Sequence, residues 1–64
     1  MKLDRKKVTL VMAQKKKDRG DIRSAGVGTS TWGNAIKGKD IRPKTAGRIA
    51  DALGVDVIEI IEEE

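Results

Sequence analysis

Residues 25–38, AGVGTSTWGNAIKG, decide how this 64-residue chain folds. Gly26 and Gly28 enclose a single valine, and glycine is the residue that turns a chain sharply through positive φ. Beyond them Trp32, the only aromatic residue, stands four before Ile36 with Ala35 between, the spacing of one helical face. Thr29, Ser30, Thr31, Asn34 and Lys37 fall on the other faces. The stretch reads as a turn at Gly26, Val27 directed inward, and a helix starting near Gly28 or Thr29 and closed by Gly38. That helix is buried on one side and hydrogen-bonding on the other.

Upstream, residues 18–25 predict a short helix capped by Asp18 or Asp21, with Ile22 and Ala25 as its apolar positions; Gly20 and Ser24 weaken it. Before it, no Gly or Pro occurs in residues 1–19, and Val8, Val11 and Met12 recur on one face that the Lys15 stem extends. This is the first helix. Asp4 is its N-cap, Lys15, Lys16 and Lys17 occupy its last turn against the negative end of the dipole, and Leu3 folds back as an apolar staple. Leu10 lies off the stripe with no assigned partner.

Downstream, residues 38–42 form a basic loop and Pro43 suits the first position of a helix that turns Ala46, Ile49, Ala50 and Leu53 inward and stops at Gly54. Asp56 and Glu59 have the spacing of a capping box, and Val57, Ile60 and Ile61 supply the buried face of a last helix ending in an acidic tip, residues 62–64, that frays. Alternation at Val55, Val57 and Glu59 would also suit an edge strand, but residues 59–64 are rich in helix formers and no second strand is visible to pair with it. The expected fold is all-α, one compact domain of five helices over residues 1–64.

Composition narrows function. With no Cys and no His, thiolate or imidazole metal sites and the usual general base are absent, so no metal, cofactor or enzymatic role is expected. The uncharged stretch that includes residues 25–36 is too short and polar to span a bilayer, and the charged N-terminal residues lack the apolar core of a secretory signal, which points to the cytoplasm. Charge is polarised: residues 1–48 hold all 14 Lys and Arg against four Asp, whereas residues 49–64 hold six carboxylates and no cation. The natural partner of the basic part is a polyanion. Glu62, Glu63 and Glu64 read as solvated side chains and not as a cation site.

Two helices joined by a short glycine-containing turn make a helix-turn-helix, whose second helix enters the major groove of DNA. Gly26 at the turn, Val27 after it and Trp32 with Ile36 as anchors meet the structural needs of that motif. Thr29, Ser30 and Asn34 are short polar side chains able to approach base edges, Asn pairing bidentately with adenine. Lys39, Arg42 and Lys44 sit where a phosphate also meets free backbone N–H groups, and Arg19 or Lys17 is placed to clamp the other strand.

AGVGTSTWGNAIKG resembles the turn and recognition helix of the xenobiotic-response-element (XRE) group of helix-turn-helix regulators, which includes phage repressors and Cro. RPKTAGRIADALGVDVIEII is similar to that family's fourth helix, LGV junction and fifth helix, and MKLDRKKVTLVMAQKK to its first, so nearly the whole chain is covered. The resemblance implies a repressor-like transcriptional regulator that reads bases with Thr29, Ser30 and Asn34 while Thr31 and Lys37 lie nearer the backbone. One departure stands out. The family's second helix usually carries a hydrophobic residue five before the turn glycine and often alanine four before, whereas Asp21 and Ile22 occupy those positions here. One residue is missing between Lys15 and Gly26, which implies a second helix shortened or rotated to bring Ile22 inward. Because a single module makes few base contacts, a homodimer on double-stranded DNA is expected, with Ile58, off the Val57, Ile60 and Ile61 face, at its seam. The rivals are an antitoxin-type module whose main partner is a protein and a nucleoid-type protein without sequence preference.

Overall fold

Side-chain caps set where the helices begin. In the computed structural model, which describes residues 1–62, Asp4 Oδ1 accepts from the backbone N–H groups of Lys6 at 3.0 Å and Lys7 at 3.2 Å, and α1 (Arg5–Lys15) follows. Asp18 Oδ1 accepts from Gly20 N–H at 2.9 Å and Asp21 N–H at 3.3 Å, while Asp21 Oδ2 accepts from Asp18 N–H at 2.9 Å. This reciprocal capping box opens α2 (Arg19–Ser24), a helix of only six residues. Gly28 caps α3 (Thr29–Ile36) without a side chain, and Pro43 starts α4 (Pro43–Leu53) with its fixed φ and missing donor.

The helices end where the chain turns left-handed. Gly26, Gly38 and Gly54 have φ of 93°, 85° and 72°. Lys16 does the same at φ 55°, ending α1 one residue after Lys15. Only Lys15 of the three consecutive lysines therefore lies in the last turn of α1; Lys16 and Lys17 belong to the connection to α2.

Helix α4 is the hub. It packs against α1, α2 and the segment after it, and Ala46, Ile49 and Leu53 are wholly buried. Val8, Ile22 and Ile60 are wholly buried too, and Leu3, Val11, Val27, Trp32, Ala35 and Ala50 complete the core. The radius of gyration of 10.1 Å is close to the ~10.7 Å that folded chains of this length adopt. Ala25, expected to face inward, is exposed because it is the residue that caps the C-terminus of α2 and so lies off its buried stripe.

Among the described residues no fifth α-helix forms. Asp56 N–H donates to Glu59 Oε2 at 2.9 Å as the capping spacing foretold, but only a 3₁₀ turn (Val57–Glu59) follows. Ile60 and Ile61 are then drawn into extended pairing with the first residues. Leu3 and Ile61 form an antiparallel bridge, in which Asp4 N–H donates to Ile60 O and Glu62 N–H to Lys2 O, both at 2.9 Å. On the other side of the same segment Ile41 N–H donates to Met1 O at 2.6 Å. The partner missing from the edge-strand reading was thus present in residues 1–4, and it pairs at Ile61, with no strand at Val55 or Val57. Glu63 and Glu64, part of the expected fraying tip, lie outside the described residues.

Candidate nucleic-acid interface

Among the described residues no polar or charged residue is buried. Helix α3 is the element whose two sides differ most in chemistry. Trp32 and Ala35 are buried, Val27 just before the helix is buried, and Ile36 is half-buried, so Ala35 shares the anchoring role assigned to Trp32 and Ile36. Thr29, Ser30, Thr31 and Asn34 are all exposed, and Lys37, which caps the C-terminus of the helix, is exposed as well. The first backbone N–H groups of an α-helix have no partner inside it, and at α3 no side chain caps them. Hydroxyl and free backbone donors therefore share the N-terminal end of the helix, and the Asn34 amide lies more than one turn further along it.

Cations precede and follow that helix along the chain. Lys39 lies in the loop after α3, Arg42 is the N-cap of α4 and Lys44 is in its first turn, all exposed. Arg19, with Gly20, Arg23 and Thr29, lines an open cleft of about 320 Å³ between α2 and the start of α3. Arg23 was absent from the sequence-derived set. Its spacing of four from Arg19, on the helix expected over residues 18–25, places both guanidinium groups on one face of α2 and is the signal that could have found it. Lys17, the alternative to Arg19 as a clamp, is exposed in the connection before α2. Its charge helps hold the Asp21 carboxyl below the usual range, after the larger effect of the Asp18 N–H.

Among the described residues Arg19, Arg23, Lys37, Lys39, Arg42 and Lys44 have no carboxylate within 4.0 Å, which leaves their charge available. Asp40 is the acidic residue in the 38–42 loop. Its carboxylate is occupied by the Met1 ammonium group, which also holds its pKa down and turns the anion toward the chain's first residue. The expected seam residue Ile58 stands on the 3₁₀ turn and is 67% exposed, in the acidic part of the chain. Leu10 is 68% exposed and lines a shallow groove on α1 with Arg5, Lys6 and Thr9. No helix among the described residues is long and apolar enough to cross a membrane. Neither a family model, nor a curated protein, nor a solved structure matches the chain.

Proposed function

We propose that the chain is a sequence-specific DNA-binding transcriptional regulator, acting as a repressor, in which α2 and α3 form a helix-turn-helix and α3 enters the major groove. The observation behind this is the division of α3: Trp32 and Ala35 are buried in the core while Thr29 and Ser30, beside uncapped backbone donors, and Asn34 further along are exposed. Thr29, Ser30 and Asn34 read bases. Thr31, Lys37, Lys39, Arg42, Lys44, Arg19 and the added Arg23 hold the phosphate backbone, which fixes register without carrying sequence information. Two copies are needed, because the longest dimension of one is 27 Å and successive turns of the same groove lie about 34 Å apart. Ile58 is the apolar residue offered to the second copy.

The test is a selection from random duplex DNA followed by salt titration. Affinity for the selected duplex should fall steeply, with a log–log slope of about −0.9 for each phosphate contacted. Asn34→Ala should relax base preference, whereas Lys39→Ala should weaken all duplexes alike and reduce the slope by about one contact. Failure to select any duplex, or affinity independent of salt, rejects the proposal.

A second reading is favoured by the exposed Leu10 on α1: an antitoxin-type module that binds a companion protein and uses DNA contacts for autoregulation. A stoichiometric complex with a protein encoded beside its gene would support it, and selection of a tight operator without such a partner would count against it.

A further inference from the structure

We propose that Gly33 is a close-approach position: its missing side chain lets the backbone of α3 seat against the wall of the DNA groove and so determines which bases Ser30 and Asn34 can reach. This rests on the major-groove reading of α3 given above. Gly33 follows Ser30 by three residues, precedes Asn34 by one and Lys37 by four, and those three side chains are exposed. Positions three and four apart share a helical face, so the glycine, itself half-buried, borders the outward stripe.

Nothing inside the fold asks for a glycine there. Its φ is not positive, and a Cβ built on it would meet no atom within 4 Å. Elsewhere internal reasons exist: Gly26, Gly38 and Gly54 have positive φ, a Cβ on Gly20 would crowd Asp18 Oδ1 at 3.1 Å, and Gly28 is an N-cap. Apart from proline, glycine is the least favourable residue for a helix interior, and α3 is only eight residues long. The same holds for Gly47 in α4, so the open space alone does not assign a role; what sets Gly33 apart is that it stands on α3 between Ser30 and Asn34. Ser30 supplies the geometric reason. A serine hydroxyl is two bonds from its Cα, so it touches a base edge only if the helix backbone itself comes close, and a side chain at position 33 would hold the backbone away.

Gly47, inside α4, provides a matched control: its φ is not positive and its Cβ direction is also open, but it lies on another helix, outside the α3 face. Gly33→Ala and Gly47→Ala should each raise the melting temperature by roughly 4 to 8 °C, the shift expected for removing one interior helix glycine from a domain of this size. On the duplex selected by the wild-type chain, Gly33→Ala should lose about tenfold to a hundredfold in affinity, the consequence of forcing one methyl into a close contact, while Gly47→Ala binds like wild type. Binding by Gly33→Ala within about twofold of wild type overturns the proposal, and so does a lowered melting temperature, which would reveal an internal need for the glycine. Equal losses in both variants would overturn it as well. If the wild-type chain itself selects no duplex, the underlying DNA reading fails and this proposal falls with it, an outcome visible before either variant is made.

Discussion

Lys16 adopts φ 55° and ψ 43°, a conformation in which an L-residue crowds its own carbonyl. The hydrogen bonds around it match those around the two glycines that end other helices. Lys17 N–H donates to Met12 O at 2.9 Å, as Lys39 N–H does to Asn34 O at 3.1 Å and Val55 N–H to Ala50 O at 3.0 Å. Three helices thus stop by one geometry, and a lysine supplies it once. Replacing that lysine should relieve the strain: Lys16→Gly is expected to stabilise the domain by about 1 kcal/mol in thermal or denaturant unfolding. An unchanged or lowered stability would mean that the lysine side chain has a compensating role. This stop was invisible in the sequence, because an unbroken run without Gly or Pro gives no sign that a lysine will turn left-handed. Gly26, Gly38 and Gly54 were legible for the opposite reason.

At the scale of elements, what could be read depended on how local the deciding interaction was. The caps at Asp4 and Asp18, Pro43 at the start of α4, and the two-sided α3 all follow from contacts within one turn, and all were apparent from residue spacing. Helix α2 shows how thin such local support can be. It has one buried residue, Ile22, and its start depends on the reciprocal bonds of Asp18 and Asp21. The Asp18 N–H, aided by the charge of Lys17, lowers the Asp21 pKa, against a smaller opposing effect of burial. A lowered folded-state value means that the stabilisation is complete above the unfolded carboxylate pKa of about 3.9 and disappears as pH falls through the lower folded value. The acid limb of unfolding, followed by Trp32 fluorescence, should therefore begin below about pH 4 and become shallower in Asp21→Asn, which no longer titrates there. An identical acid limb in the variant would remove Asp21 from the account. Arg23 was missed although the helix expected over residues 18–25 already put it four after Arg19; only the cleft that both line with Thr29 draws it into the site.

Charge is separated along the chain: all 14 Lys and Arg lie in residues 1–48, half of them before α2, and six of the ten carboxylates follow Arg48. Ile58 stands in the acidic part of the chain and is exposed, whereas Ile60 is buried and Val57 and Ile61, expected on a buried helical face, are half-buried. If it is the seam of a two-fold dimer, Ile58→Asp should yield a monomer in sedimentation and reduce affinity for a two-half-site duplex toward that for one half-site. A variant that remains dimeric would move the seam elsewhere, with the Leu10 face of α1 next to be tested.

The bridge between Leu3 and Ile61 also orders events in time. It encloses all four helices in one loop, so its closure entropy is large, whereas each helix needs only its neighbours in sequence. Local caps and turns can form early; the clasp of residues 1–4 between Ile41 and residues 60–62 comes last, once α4 has brought its two flanks together. Completion of this fold therefore waits on synthesis of the segment that ends at Glu62, although the groups expected to meet DNA are all made by Lys44.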